Sequence, residues 1–239
     1  MNERTTVAAG GVLGIVPARA GSKGVPGKNI KLLRGRPLLE YTARAAEGSG
    51  VLDRVVLTTD SPEIAEVGRR VGFDVPFLRP AALSADDTPM LPVLQHVLST
   101  LADGGWVPRL VVLLQPTSPL RRPAHIARAV TMLEESDATS VVSVVELPRH
   151  LSPDYVMRIE GGVLKPFLAD GLRITRRQDA RAAYVRDGTV YAFRPGTLER
   201  FGDIYGDDCR PLLIPADESL SIDSPADWDA AERMLARAE

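Results

Sequence analysis

Three short segments of the 239-residue chain concentrate the residue types that hold anions and metals. The first is Pro17-Ala18-Arg19-Ala20-Gly21-Ser22-Lys23-Gly24-Val25-Pro26-Gly27-Lys28-Asn29. Its glycines let backbone amides approach phosphate oxygens, and Arg19, Lys23 and Lys28 bring the neutralising charge. The spacing misses a Walker A loop, because Gly21 to Gly27 is one residue too long and Asn29 stands where Ser or Thr would hold magnesium. A solvated basic turn is the plain alternative. The second segment, Gln115-Pro116-Thr117-Ser118-Pro119-Leu120-Arg121, leaves an apolar run through two prolines that would present Gln115, Thr117 and Ser118 to a ligand. Its plain alternative is a turn followed by a helix cap. The third runs from Ser219 to Trp228, with Asp223 just before a Ser224-Pro225 helix start. Ser224 fits the cap, which leaves Asp223 free for a metal instead of the helix dipole. A phosphate loop and a carboxylate across one cleft are the minimum for Mg²⁺-assisted nucleotidyl transfer.

The elements that must carry these segments alternate. Short apolar strands are expected at Val12–Val16, Arg54–Thr59, Val75–Leu78, Leu110–Gln115 and Thr139–Val145. Helices are expected at Pro37–Glu47, Pro62–Val71, Pro89–Leu101 and Pro123–Glu135. Wholly apolar strands between helices imply a mostly parallel sheet covered on both faces, with ligands beyond the carboxyl ends of its strands. The pattern changes after Pro148. Tyr155–Ile159, Val163–Phe167 and Thr189–Phe193 read as strands of a smaller excursion, after which Pro211–Ile214 returns as a strand and Pro225–Ala238 closes as an amphipathic helix. Residues 1–239 therefore read as one three-layer α/β domain of Rossmann-like kind, with 148–188 as an insertion.

Composition narrows the function. Lys and Arg number 29 against 31 Asp and Glu, a net charge of -2 that argues against a general nucleic-acid binder. No run reaches the length of a membrane span, and one cysteine, Cys209, excludes an internal disulfide. The apolar stretch from Val7 to Val16 behind Arg4 has the outline of a signal peptide, but it reads better as a first strand, and a cytoplasmic protein is expected. His96 reads as a packed or surface helix residue, His125 as part of the first turn after Pro123, His150 as a residue at the edge of the insertion that could contact an acceptor, and Cys209 as a small packing residue.

Taken together, Ala18-Arg19-x-x-Ser22-Lys23-Gly24-x-Pro26-x-Lys28-Asn29, Leu78-Arg79-Pro80-Ala81, Gln115 to Arg121, Arg177-Gln178 and Ile222-Asp223-Ser224-Pro225 resemble the CMP-sialic acid synthetase (acylneuraminate cytidylyltransferase) family, in order and spacing over nearly the whole chain. The resemblance implies a nucleotidyltransferase fold and transfer of CMP from CTP to an anionic acceptor, a sialic-type nonulosonic acid by default, with release of pyrophosphate. It implies that Arg19, Ser22 and Lys28 bind the CTP phosphates, with Ala18, Lys23 and Gly24 in the same nucleotide loop. Arg19, Lys28 and Asp223 would carry the chemistry. Asn29 and Arg79 would read the cytosine. Gln115 and Ser118 would lie by the ribose or acceptor, Asp223 would bind Mg²⁺, and Arg177, Gln178 and Tyr191 would face the acceptor. The 148–188 insertion would be a dimerisation flap, with Arg177 crossing a homodimer.

Three positions depart from the family pattern. Sialate enzymes carry Asp-Ile-Asp before the closing turn, and here the triplet is Ser221-Ile222-Asp223, which leaves one metal-side carboxylate. Asp154 stands where a basic residue is usual, and Arg181 occupies a region usually opened by proline. The insertion is rich in arginine, at 173, 176, 177, 181 and 186. That is either a solvated surface or a pocket for a more anionic acceptor such as a phosphonate, which requires Asp154 to point outward or to pair with an arginine. A nucleotidyltransferase with another base or a sugar phosphate acceptor, and a nucleotide sensor without activity, are the remaining alternatives.

Overall fold

The computed structural model of the protein describes residues 8–21, 23–174 and 176–238. In chain order the elements are β1 (Ala8–Pro17), β2 (Leu32–Leu33), β3 (Arg36–Pro37), α1 (Leu38–Ser49), β4 (Arg54–Thr58), α2 (Pro62–Arg70), α3 (Met90–Asp103) and β5 (Trp106–Leu113). They continue with α4 (Pro123–Glu134), β6 (Ser140–Glu146), β7 (Met157–Glu160), β8 (Val163–Pro166), β9 (Tyr184–Phe193), α5 (Pro195–Phe201), β10 (Cys209–Leu213) and α6 (Pro225–Ala238). Six strands form the main sheet in the order β10-β6-β9-β5-β1-β4. All pair in parallel except β9, which runs antiparallel between β5 and β6.

Strand side chains alternate between two cores, as a two-residue period demands. Val12, Val16, Leu110, Val112, Val190 and Ala192 face the layer of α1, α2 and α4, while Leu13, Ile15, Val111, Leu113, Tyr191 and Phe193 face α3 and α5. α2 starts as its sequence suggests, with the Ser61 hydroxyl accepting from the Ile64 amide at 3.2 Å. A third, smaller cluster joins Val25, Leu33 and Leu38 to Ile222 and to Trp228 and Ala231 of α6. It ties the chain behind β1 to the closing turn.

Three expectations change. Residues 75–78 form no strand: Asp74 makes a single parallel bridge to Val56, and Pro76 then removes a donor from any continuing ladder. Thr189–Phe193 belongs to the main sheet and not to the excursion, because its run is buried on both faces and closes the sheet between β5 and β6. The excursion is therefore shorter, and contains the β7–β8 hairpin and several 3₁₀ turns. α5 went unforeseen; Pro195 opens it at a first-turn position.

The β6–β9 ladder is interrupted next to the cleft. Val142 pairs with Tyr191 and Val144 with Arg186, so residues 187–190 stand opposite Ser143 alone. Ser143 Oγ fills the gap, accepting from Val190 N at 2.8 Å and donating to Asp187 Oδ1 at 2.5 Å. Such a bulge re-aims a strand end, here toward the ligand side.

Candidate active site

The loops after β1 and β5 leave the sheet beyond its carboxyl edge and enclose a cleft of about 440 Å³. The β1 loop is pinned at three points. Ala18 N donates to Thr58 O at 3.0 Å, Ala20 N to Asp60 Oδ1 at 3.0 Å, and Asn29 Nδ2 to Arg19 O at 3.0 Å. Its far end is welded to the closing turn. A Cβ on Gly24 would lie 1.9 Å from Asp223 O, so only glycine lets the two backbones meet. Lys28, largely enclosed, donates from Nζ to Ile222 O at 2.5 Å and stands 3.4 Å from Asp223 Oδ1. The phosphate loop and the acid of the closing turn are thus one unit.

Asp223 presents its carboxylate to the cleft, 72% exposed. Its backbone amide is satisfied from α6, since Asp227 Oδ2 accepts from Asp223 N at 3.0 Å and from Ser224 N and Ser224 Oγ at 2.7 Å. The Ser224 hydroxyl, followed by the Asp223 amide, holds the Asp227 carboxyl below its usual pKa. Asp227 therefore serves the helix start and Asp223 does not. Ser221 donates from Oγ to Asp223 Oδ2 at 3.1 Å and orients it. Among the described residues no group of three or more His, Cys, Asp and Glu could hold a metal by itself. One free carboxylate suits a cation that takes its other ligands from water and nucleotide phosphates, as Mg²⁺ does.

Across the cleft, the Arg79 guanidinium is buried and donates to Thr58 O at 3.3 Å and Leu83 O at 3.5 Å, while its Nε has no partner among the described residues. Burial lowers its pKa from the arginine norm. Gln115 lies against Gly188: a Cβ there would be 2.9 Å from Gln115 Oε1, and φ is +80°. Ser118 is 1% exposed, and its hydroxyl has no partner among the described residues. Beneath both, the buried Arg121 donates to Gln115 O at 2.5 Å, Thr189 O at 2.6 Å and Thr42 Oγ1 at 2.9 Å. Burial pulls its pKa down to about 9, which leaves it charged at neutral pH and fixes the Gln115 turn against β9.

The structure brings Arg19, Lys23, Gly24, Lys28, Asn29, Arg79, Gln115 and Asp223 to this single cleft. Ala18 is buried just beneath it, and Ser118 supports it from below. Ser22 lies outside the described residues. The two-residue period of β9 turns the Tyr191 side chain into the core with Leu113 and Val142, where burial raises its pKa, and it is not among the residues that line this cleft. Arg177 and Gln178 sit exposed on a turn of the excursion, away from the cleft of their own chain. Asp154 is buried and paired. Arg181 grips it through Nη2, Nε (2.8 Å) and its amide (2.7 Å), and also reaches Asp170. That guanidinium holds the Asp154 carboxyl below the usual carboxylate range. Arg176 pairs with Asp179 and Arg186 with the Tyr205 hydroxyl, so of the five arginines Arg173 and Arg177 have no side-chain partner among the described residues.

Sequence reasoning missed Asp86, whose carboxylate contacts Arg19 and Lys23. It also missed Asp187, which accepts from the hydroxyls of Ser143, Thr189 and Ser219. Arg19 lies 67 residues from Asp86, and Ser143 and Ser219 lie 44 and 32 residues from Asp187, so local spacing shows only the Thr189 contact, two residues on. His125 lies in the first turn of α4, as its place after Pro123 suggests. Its Nδ1 accepts from Arg122 N at 3.2 Å and its Nε2 meets Glu218 Oε2 at 2.8 Å, which clips the 216–218 turn to α4.

The profile of the family described as cytidylyltransferase matches residues 13–206. The chain belongs to the cytidylyltransferase family. It is a CTP-dependent nucleotidyltransferase. Among curated relatives it is 35% identical over 227 residues to a CMP-N,N'-diacetyllegionaminic acid synthase of Legionella pneumophila, covering 94% of this chain and 96% of that one. It is also 32% identical to an N-acylneuraminate cytidylyltransferase of Streptococcus agalactiae and 31% identical to one of Oncorhynchus mykiss, over 90% and 95% of this chain. The chain spans about half the length of those two relatives, 51% and 50%. Among solved structures, a CMP:2-keto-3-deoxy-manno-octonic acid synthetase complexed with CTP superposes with a TM-score of 0.73, at 15% identity over 96% of this chain and all of the other. A 4-diphosphocytidyl-2C-methyl-D-erythritol synthase of Anaerococcus prevotii superposes at 0.64, with 16% identity over 95% of this chain and 99% of that one. These likenesses show the shared α/β nucleotidyltransferase fold. Among the described residues no helix is long and apolar enough to cross a membrane.

Proposed function

We propose that this cytidylyltransferase transfers CMP to a hydroxyl of a sialic-type nonulosonic acid. The observation that carries this reading is the fusion of phosphate loop and closing acid. Gly24 rests on the Asp223 carbonyl, and the Lys28 ammonium lies beside the Asp223 carboxylate in the same cleft. The acceptor class is supported by the named acceptors of the relatives, legionaminic and N-acylneuraminic acids.

In this reading Arg19, Lys23 and Lys28 hold the triphosphate, with Lys28 toward the α-phosphate. An acceptor hydroxyl oxygen forms a bond to the α-phosphorus as the bridging bond to the β-phosphate breaks. The hydroxyl proton passes to solvent, and pyrophosphate leaves. Charge builds on the attacked phosphate and on the leaving group, and fixed cations stabilise it without reorganising. Asp223 would hold Mg²⁺, which neutralises the same charge when bound. Asn29 and Arg79 read the base from the wall of the cleft, where Thr58 O and Leu83 O hold the Arg79 guanidinium in place. Gln115, set by Arg121 and Gly188, lies toward the ribose and acceptor.

The chain is read as one domain, with residues 148–188 as its acceptor-binding and dimerising insertion. Ile159, Leu164, Phe167 and Leu172 of the excursion, Tyr184 at the start of β9 and Leu213 on β10 are large apolar side chains left exposed, which favours an interface here. A homodimer would cover it and carry Arg177 and Gln178 of one protomer to the cleft of its partner. A cytoplasmic enzyme fits the use of CTP. Arg181 is committed to Asp154 and Asp170, which removes one cation from the pool that an extra-anionic acceptor would need.

The test is a specificity series of N-acetylneuraminate, N,N'-diacetyllegionaminate, Kdo and small phosphonates, with CMP-linked products identified by mass. A nonulosonate is expected to give the largest kcat/KM. A phosphonate or Kdo exceeding every nonulosonate would overturn the acceptor assignment.

A further inference from the structure

The rim of the cleft holds a carboxylate where a nucleotide would put phosphate. Asp86, between the 81–83 turn and α3, lies 67 residues from Arg19 in sequence, yet its Oδ1 contacts Arg19 Nη1 and its Oδ2 stands 2.6 Å from Lys23 Nζ. All three residues line the cleft. The two cations hold the Asp86 carboxyl below its usual pKa, Lys23 most, so it is an anion at every working pH. Asp87, next to it, is also exposed but pairs with neither cation. The contact is therefore specific to one position.

We infer that Asp86 is a counter-ion gate: its carboxylate occupies the outer phosphate subsite of Arg19 and Lys23, and a polyphosphate must displace it to bind. This rests on the reading of the β1 loop as a phosphate cradle. Two anions cannot share two cations at hydrogen-bond distance without repulsion, so Asp86 and the distal phosphates compete. A triphosphate or pyrophosphate carries several charges and recovers both cations. A monophosphate held near Lys28 recovers neither. Asp86 thereby weakens the hold on CTP and pyrophosphate while leaving that on a CMP-linked ligand unchanged, which favours release of pyrophosphate. It is a specificity-determining residue for the nucleotide and not a catalytic one.

Both cation contacts are partly exposed, with Asp86 at 43% and Lys23 at 77%, so each is screened and modest. Losing the competition of two such pairs is worth about a 3- to 10-fold gain in affinity. The experiment is titration calorimetry of inorganic pyrophosphate, CMP and CTP into wild-type protein and the variants Asp86→Asn, Asp86→Ala and Asp87→Asn, at 50 mM and 300 mM salt. Both position-86 variants are expected to bind pyrophosphate about 3- to 10-fold more tightly than wild type. CMP affinity and the Asp87→Asn variant are expected to stay within twofold, and the gain shrinks at the higher salt. Unchanged or weaker pyrophosphate binding by both position-86 variants overturns the gate, as does an equal gain from Asp87→Asn. So does pyrophosphate binding by no protein in the series. A pyrophosphate gain with no CTP binding by any of them leaves the gate standing and refutes the nucleotide reading.

Discussion

Replacing Gly24 by alanine tests whether phosphate loop and closing turn act as one unit. The added Cβ would sit 1.9 Å from Asp223 O and 3.0 Å from Asp223 C. Real Cβ atoms essentially never approach closer than 3.0 Å, so the gap to the oxygen has to open by about 1.1 Å. The atom in the way is backbone and cannot swing aside like a side-chain tip. Val25, Ile222 and Trp228 are packed together around the same junction, which hinders relaxation. Overpacking of this kind costs about 1–3 kcal/mol, or a Tm loss of roughly 2–12 °C at this chain length. The protein stays folded at 25 °C. The larger effect is catalytic: misplacing Lys28 and Asp223 relative to each other by about 1 Å costs on the order of 10²-fold in rate. The assay is pyrophosphate release at saturating CTP and acceptor, beside a thermal melt. Gly196→Ala in α5, where an added Cβ meets nothing within 4 Å, controls for loss of glycine as such and should behave as wild type. A Gly24→Ala rate within threefold of wild type would refute the coupling of the two loops.

Asp223→Asn keeps the Ser221 contact but removes the charge for a metal; turnover should fall by about 10²- to 10⁴-fold with an unchanged melt, and near-normal activity would move the metal site to another acid. Mixing inactive Arg177→Ala and Asp223→Asn subunits should restore part of the activity if Arg177 serves its partner's cleft, whereas a fully active monomer by light scattering would contradict that crossing. Asp154 has a folded pKa below its usual value of about 3.9, so the stability it confers is complete above that pH and is lost as pH falls through the lower folded value. The melting difference between wild type and Asp154→Asn should accordingly stay constant from pH 8 to 5 and shrink below about pH 4; a difference that grows on acidification would reverse the sign.

The sheet and its three loops were legible because each signal is local. Apolar runs such as Val12–Val16 and Leu110–Leu113 can only be buried strands, and Ser61-Pro62-Glu63 or Ser224-Pro225 announce helix starts within a few residues. The cleft residues were legible through motif order. What was hidden depends on partners far apart in the chain. The place of β9 in the middle of the sheet is set by pairing with β5 and β6, although its doubly buried run Thr189–Phe193 was a usable hint. The side of the sheet that Tyr191 faces follows only once the register of β9 is known. The pairing of Asp154 with Arg181 spans 27 residues and that of Asp86 with Arg19 spans 67, so nothing near either acid in sequence reveals its partner. The bulge that turns Asp187 toward Ser143 and Ser219 likewise has no local mark.

The most direct measurement is the initial rate of pyrophosphate release from CTP, UTP, ATP and GTP with one nonulosonic acid acceptor. Loss of a buried base hydrogen bond costs about 1–3 kcal/mol, so CTP should exceed UTP by at least roughly tenfold, with the Arg79→Lys variant narrowing that ratio. Equal rates from CTP and UTP, or no pyrophosphate from CTP with any nonulosonate, would contradict cytidylyl transfer through this cleft.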